Sequence, residues 1–285
     1  MGMIATNERI EEVDCLLCGD GGKRVLLLKP PFRIVACRAC GLVYTDRRFS
    51  EAGMAAYYAK GYFTGEVAGA YRSYVDEERE KAVDFDAKYL LLRRFARGGT
   101  ALDVGCALGF SLDAAARAGF TPVGLERSAW AIENRRTSFP IQQGTFDQLE
   151  AKAAFDVVTM WDVMEHLPAP KAIFDKLAAV VRPGGLFAVT YPDPDSIMAR
   201  VLGRFWPPFT PEEHVFFPTS RVLDRELGRV GFSLLDRGWE KRAFSLGKLR
   251  QKLKGAQGAL PGGRIVTVPI PYKRLAIFQK LAVEG

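Results

Sequence analysis

The sequence predicts an α/β protein: a Rossmann-like, mostly parallel sheet with helices on both faces, preceded by a small cysteine ribbon and a helical connector. Three observations carry this. Short apolar runs alternate with amphipathic segments between residues 99 and 191, the pattern that builds βαβ units. A glycine-rich turn, Gly105-Cys106-Ala107-Leu108-Gly109, follows the first of those runs. Four of the five cysteines fall in two Cys-x2-Cys pairs near the N-terminus.

Composition sets the frame for these elements. With 285 residues, 48% hydrophobic and 26% charged, the chain has enough apolar material for a real core, which excludes global disorder. Its 40 Lys+Arg against 33 Asp+Glu give +7. That charge is not evenly spread. From Arg237 to the end there are eleven cations and two acids, so the remaining 236 residues sum to −2. Residues 1–14 hold Glu8, Glu11, Glu12 and Asp14, which do not suit the basic start of a signal peptide. No run approaches the roughly 18 apolar residues of a membrane span. The expectation is a cytoplasmic protein whose cysteines are ligands or core residues and not disulfides.

The ribbon comes first. Cys15 and Cys18 are separated by eighteen residues from Cys37 and Cys40, inside the spacing of about 15–20 residues typical of four-thiolate zinc sites. Gly19 and Gly41 follow each pair, where the chain has to turn with positive φ. Val25–Leu28 and Phe32–Ala36 read as ribbon strands between them. Four thiolates close the coordination shell, so this zinc is expected to hold structure and not to perform chemistry. The divisions expected are a ribbon over 1–48, a connector or cap over 49–98 with a helix from about Asp76 to Arg97, and a catalytic domain over 99–285. Substrate-facing insertions are expected at 192–218 and 243–263.

In the third region Ala101–Val104, Thr121–Leu125, Phe155–Met160 and Leu186–Tyr191 read as strands. Ser111–Ala118, Ala129–Ser138 and Ala172–Val181 read as helices, and Val266–Ile270 and Leu275–Phe278 as closing strands. Ligands bind beyond the C-terminal ends of such parallel strands. The first strand ends in Asp103-Val104-Gly105-Cys106-Ala107-Leu108-Gly109, and the second in Glu126, 21 residues after Gly105. A glycine turn admits a ligand close to the backbone, and a carboxylate at that position can accept hydrogen bonds from both ribose hydroxyls. The turn lacks the G-x-G-x-x-G spacing of dinucleotide sites and instead carries Asp103 on the strand before it. An acid there suits a cationic cofactor better than a pyrophosphate.

On these residues the chain resembles the class I S-adenosylmethionine (SAM) methyltransferases from about Ala101 to Phe232, whose first motif is D-x-G-x-x-x-G. Phe155-Asp156-Val157-Val158 and Val181-Arg182-Pro183-Gly184-Gly185 are further marks of the family. The resemblance implies a cofactor site formed by Asp103, Gly105, Cys106, Ala107, Gly109, Glu126, Arg127, Thr145, Phe146 and Trp161. The sulfonium methyl of SAM is already activated, so the protein's tasks are to align an acceptor and remove its proton.

The chain's two histidines each follow a glutamate: Glu165-His166 past the strand at 155–160, and Glu213-His214 past the strand at 186–191. A neutral imidazole near its ordinary pKa of about 6.5 is a suitable base, so His214 and then His166 are the candidate bases, with Glu213 and Glu165 as supporting carboxylates. The Asp162/Glu165/His166 cluster is similar to ubiquinone-type O-methyltransferases, some of which hold a divalent metal at such positions, which makes these three residues a candidate metal site. The ribbon leading into Cys40-Gly41-Leu42-Val43-Tyr44 is similar to zinc-bearing deoxysugar C-methyltransferases. The implied acceptor is a small molecule, anionic or sugar-like: a sugar, glycan precursor or natural-product intermediate. Oxygen and carbon both remain open as the methylated atom.

Three peripheral features complete the pattern. Tyr57, Tyr58, Tyr62, Phe63, Tyr71 and Tyr74 read as packing residues or a cap. Arg204-Phe205-Trp206-Pro207-Pro208-Phe209 reads as a loop with exposed aromatics. Lys248, Arg250, Lys252 and Lys254 spread round a helix and read as a solvated face, with an anion-seeking lid as the alternative. The alternative function is RNA methylation, since a basic end can meet phosphates. Against it, the strand at 155–160 leads into Trp161-Asp162-Val163-Met164-Glu165-His166 and not into a Pro-Pro-aromatic clamp for a base. A non-catalytic partner subunit is opposed by the intact Asp103, Gly105, Gly109 and Glu126 set. With zinc in place the thiolate site carries about −2, which takes the body to about −4 beside a +9 C-terminal end.

Overall fold

In the computed structural model, residues 9–54, 77–150, 152–246 and 264–282 are described. The aromatic positions from Tyr57 to Tyr74, and Lys248, Arg250, Lys252 and Lys254 with most of the 243–263 insertion, lie outside them.

The ribbon is a small antiparallel sheet of β1 (Ile10–Glu12), β2 (Lys23–Lys29), β3 (Phe32–Cys37) and β4 (Val43–Phe49), in the order β1-β4-β3-β2. Gly19 and Gly41 take φ of 75° and 77°, as the cysteine turns require. Asp46 on β4 is fully buried and compensated by Arg33 at 2.6 Å and Lys23 at 2.9 Å. Burial raises the Asp46 carboxyl, but these two cations reverse that and hold it below its ordinary range.

Helix α1 (Glu78–Leu92) leads into the main sheet. In chain order come β5 (Gly99–Val104), α2 (Phe110–Arg117), β6 (Phe120–Glu126), α3 (Ala129–Glu133), β7 (Ile141–Gln143) and β8 (Phe155–Trp161). There follow α4 (Pro170–Val180), β9 (Val181–Pro192), α5 (Ile197–Leu202), β10 (Phe216–Phe217), α6 (Ser220–Arg229), β11 (Phe232–Ser245) and β12 (Ile265–Lys280). The seven-stranded order is β11-β12-β9-β8-β5-β6-β7. The five strands from β9 to β7 are parallel, and β12 and β11 add antiparallel strands at one end. The central strands are apolar and buried on both faces (Ala101–Val104, Val157–Trp161, Leu186–Tyr191), as covered parallel strands must be. Because β6 lies on one side of β5 and β8 on the other, the strand order reverses beside β5. That crevice is where such sheets bind ligands.

Three segments depart from expectation. The helix expected over Ala129–Ser138 stops at Glu133, because the Arg136 amide donates to the Leu108 carbonyl at 2.8 Å and Pro140 disfavours helix before it. The two expected closing strands are one, β12, with an irregularity: Trp239 pairs with Arg274 but Lys241 pairs with Pro269, so residues 270–273 stand opposite Glu240 alone. Pro269 and Pro271 lack the N–H a regular ladder uses, and such bulges re-aim side chains. Finally, Trp206 is not exposed. Only 1% of its surface remains accessible, and it meets Phe209 edge-on at 4.9 Å in a cluster with Ile34 and Val43 of the ribbon and Phe217. This aromatic loop joins the ribbon to the main sheet, with Phe205 alone among its aromatics standing out.

Candidate active site

The site is built from the ends of β5, β8, β9 and the β11–β12 pair, with α1 as one wall. The loop after β5 is held in an unusual form: Gly105, Ala107 and Gly109 all have positive φ, of 70°, 49° and 87°. A Cβ on Gly105 would lie 2.6 Å from Val163 Cγ2, and one on Gly109 would lie 2.2 Å from Thr137 Cγ2. Both glycines are therefore required by space as well as by conformation. Ala107 tolerates its strained φ while its amide donates to Glu126 Oε2 at 3.0 Å; the Ser128 amide donates to Glu126 Oε1 at 2.8 Å.

Asp103 is 2% exposed and accepts from the hydroxyls of Thr159, at 2.6 Å, and Ser111. Burial pushes its pKa up to about 6 despite those donors. A buried carboxylate in want of a positive partner fits the ammonium of SAM. The residues fit the cofactor in two further respects: Trp161 Nε1 and Thr145 Oγ1 are buried polar atoms with no partner, the donors expected at a polar ligand. Cys106, in contrast, turns its sulfur onto Gly124 beneath the loop and packs there. Phe146 joins the core, and Arg127 is exposed beside Glu126.

The four thiolates likewise fit zinc. Cys15 and Cys40 sulfurs are 3.4 Å apart, Cys18 and Cys37 sulfurs 3.6 Å, and all four lie within 4.8 Å of one another. Tetrahedral coordination with Zn–S near 2.3 Å needs sulfur separations of about 3.8 Å.

A cavity of about 290 Å³ opens beside Gly105 and Ala107. Asp162, Glu165, His166, Glu213 and His214 line it together with Trp161, and so do Lys81, Lys88, Arg242 and Lys273. The two Glu-His pairs, 48 positions apart in sequence, thus meet. The imidazole rings stack edge to face at 4.8 Å between centroids. His166 Nδ1 faces the Glu213 carbonyl at 3.1 Å and His214 Nδ1 faces the Pro208 carbonyl at 2.8 Å. Carbonyls only accept, so both Nδ1 atoms carry the hydrogen and both Nε2 atoms keep a lone pair. Glu165 is 1% exposed and its Oε2 has no partner.

Electrostatics here differ from the expectation of ordinary histidines. Burial lowers His166 to about 4, against the opposing Glu213 carbonyl, and burial with the neighbouring His166 ring holds His214 well below its usual range. Burial and the nearby Asp162 charge push Glu165 up to about 8. Asp162 takes the reverse course: although burial raises it, Lys273 at 2.7 Å and Arg242 at 3.3 Å hold it well below the carboxylate range. It also adopts φ of 58°, fixed by the Thr190 hydroxyl, which accepts from its amide and donates to Oδ1 at 2.9 Å.

The expected Asp162/Glu165/His166 metal set is therefore rearranged. Asp162 is committed to cations, and the ligand-type atoms that converge are those of Glu165, His166 and His214, within 4.8 Å of one another. Sequence reasoning also missed Lys88, Arg242 and Lys273 as lining residues. Lys88 sits on α1, 2.8 Å from Glu240 and 5.0 Å over the Trp161 ring. Lys273 is brought in by the irregular stretch of β12; the Pro269-Ile270-Pro271 run is its one sequence signal. Three of the described C-terminal cations are likewise engaged within the fold. Arg237 pairs with Asp224, Arg274 pairs with Asp193 and lies over Trp239, and Lys280 donates to the Val181 carbonyl. These cations are spent inside the fold and do not form a phosphate-binding stripe.

Comparison with known proteins agrees with this geometry. The methyltransferase domain family matches residues 71–236. The ubiquinone biosynthesis O-methyltransferase of Albidiferax ferrireducens is 30% identical over 118 residues, 37% of this chain and 47% of that protein. Its counterpart in Acinetobacter baylyi is 26% identical over 156 residues, 49% of this chain and 65% of that protein. The chain thus spans about half the length of the curated relatives it matches. Among solved structures, the 1,6-didemethyltoxoflavin-N1-methyltransferase of Burkholderia thailandensis superposes with a TM-score of 0.54 at 14% identity, covering 91% of this chain and 99% of that one. The magnesium protoporphyrin IX methyltransferase of Synechocystis gives 0.50 at 16% identity, over 81% and 95%. These likenesses are likenesses of fold.

Proposed function

The chain belongs to the methyltransferase domain family, and from that premise we propose that it transfers a methyl group from SAM to a hydroxyl oxygen of a small molecule, with His214 as general base. The observation that carries this is the meeting of His214, His166 and Glu165 in one cavity with the Gly105–Ala107 loop.

When bound, the cofactor supplies an electrophilic methyl on a positively charged sulfur. Asp103 holds the ammonium end and Glu126 the ribose, while the Trp161 and Thr145 donors meet polar atoms of the ligands. An acceptor held between that loop and the histidines would have its hydroxyl within reach of both. His214 Nε2, the atom its tautomer leaves open, would take the proton that the acceptor hydroxyl loses on methylation. His166 and the protonated Glu165 surround that nitrogen without charge near pH 7. A base held below the ordinary histidine range works best on a hydroxyl that is itself acidic, so an enolic, phenolic or otherwise acidified group is the matched acceptor. The lining is predominantly charged and polar, and the volume sits at the small end of ligand pockets, which run from about 300 to 1,000 Å³. A compact polar acceptor, a sugar, glycan precursor or natural-product intermediate bearing an anionic group toward Lys81 and Arg242, fits that lining. The names of the ubiquinone-biosynthesis relatives support oxygen over carbon. The zinc of the four-cysteine ribbon is structural.

The test is methyl transfer from labelled SAM across a panel of acidic phenols, hydroxy acids and sugar nucleotides, with RNA alongside. Wild-type protein is expected to label a small molecule and not RNA. Intact turnover in His214→Gln would remove the base assignment.

A further inference from the structure

Thr45 belongs to the cysteine ribbon by sequence and to the active site by contact. It lies on β4, 169 positions before His214, and is completely buried. Its amide donates to the Val215 carbonyl at 2.9 Å, and its hydroxyl donates to the His214 carbonyl at 2.7 Å. The ladder continues from there, with Tyr44 opposite Phe216 and Val43 opposite Phe217. On its other side the same stretch is tied to the catalytic turn, since the Val215 amide donates to the Glu165 carbonyl at 2.8 Å. The backbone of His214 and Val215 is thus clamped between a ribbon strand and the turn that carries Glu165 and His166.

The hydroxyl is the informative part. A β-strand pairs through main-chain groups, so the β4–β10 ladder needs no side-chain donor. Valine has the same branched shape as threonine and suits a buried strand at least as well. What threonine adds is one O–H, and it is spent on the carbonyl of the proposed base. That bond fixes the peptide from which the imidazole projects. The second fixed point is the ring itself, through Nδ1 to the Pro208 carbonyl at 2.8 Å and Thr210 Oγ1 at 3.2 Å. Two anchors, one on the backbone and one on the ring, determine where the Nε2 lone pair points.

We propose that Thr45 is a positioning residue: its hydroxyl, delivered by the ribbon, sets the orientation of His214. The ribbon then supports the active site from behind, through the backbone of His214, and is not an appendage to it. The consequence for turnover rests on His214 being the base; the consequence for its orientation does not.

The chain has only two histidines, so imidazole nitrogen resonances of the full, zinc-loaded protein resolve both rings without substrate. In wild type both are expected as the Nδ1–H tautomer. Thr45→Val is expected to convert the His214 signals to a tautomer mixture while His166 shifts little, and Thr45→Ser to restore the wild-type pattern. Once an acceptor is in hand, Thr45→Val should lower kcat by ~10- to 100-fold with KM little changed, the size expected of a misplaced group. Wild-type His214 resonances in folded Thr45→Val overturn the proposal. Should the valine variant not fold, Thr45→Ala against Thr45→Ser makes the same comparison, and identical His214 signals in those two overturn it equally. If His214→Gln keeps full turnover while Thr45→Val alters the His214 signals, positioning stands and the base assignment falls.

Discussion

Replacing Glu165 by glutamine should change how stability depends on pH, because burial and the Asp162 charge raise its pKa. Glu165 is 1% exposed, and burial with the Asp162 charge raises its pKa from 4.5 to about 8. A group whose folded pKa lies above its unfolded one contributes its full stability below the unfolded value and loses it as pH rises through the folded value. The folded wild-type protein therefore resists ionising Glu165 between about pH 5 and pH 8, while the unfolded chain ionises it freely. At roughly 1.4 kcal/mol per pKa unit, that interval integrates to about 3 kcal/mol of lost stability. Glutamine has the same size and no proton to lose, so Glu165→Gln escapes the loss. The histidines titrate in both proteins and largely cancel in the comparison. Urea unfolding of the two proteins at pH 5 and pH 8 measures it: the stability of Glu165→Gln relative to wild type should rise by about 3 kcal/mol across that range. Parallel pH profiles would refute the assigned environment of Glu165, and with it the uncharged state given to this cluster near neutral pH.

Two further outcomes follow from the cofactor and ribbon sites. Asp103→Asn keeps the shape of a residue that Ser111 and Thr159 already hold but removes its charge, so SAM affinity by calorimetry should fall by ~10- to 100-fold, the worth of a charged hydrogen bond of about 1.5–3 kcal/mol; unchanged affinity would sink the cofactor assignment. Stripping zinc with a chelator should lower the melting temperature of the whole protein in a single transition, because β4 pairs with β10 and the Arg225 guanidinium donates to the Cys40 carbonyl at 2.8 Å; complete zinc loss without a shift in melting would show that the ribbon is not coupled to the main sheet.

Much of the proposed cofactor end was legible because its chemistry is local. Asp103, Gly105 and Gly109 lie within seven consecutive positions, and the turn's need for positive φ and for close approach to Val163 and Thr137 restricts two of them to glycine. Glu126 follows at the end of the next strand, a distance set by one helix and one strand. The cysteine pairs are likewise local, since two-residue spacing aims two sulfurs at one ion. The acceptor end was half legible. Both Glu-His pairs stood out, but not that their rings touch, nor that Asp162 faces Lys273 and Arg242 in place of a metal. Trp206 was misplaced for the same reason: its partners, Ile34, Val43 and Phe217, lie far from it in sequence or on the other side of a turn.

The sequence by itself determined the elements: the ribbon with its four cysteines, the alternation that makes a parallel sheet, and the glycine turn after β5. Each follows from spacing over a few residues, where bond geometry leaves little choice. Tertiary structure decided the rest: the neutral histidines, the charged wall of Lys88, Arg242 and Lys273, and the hold of Thr45 on His214. Those depend on strand pairing between distant segments and on how much water is excluded once they pack. A pKa is set by that exclusion and by the charges it traps, and neither is written in any stretch of sequence short enough to read as a motif.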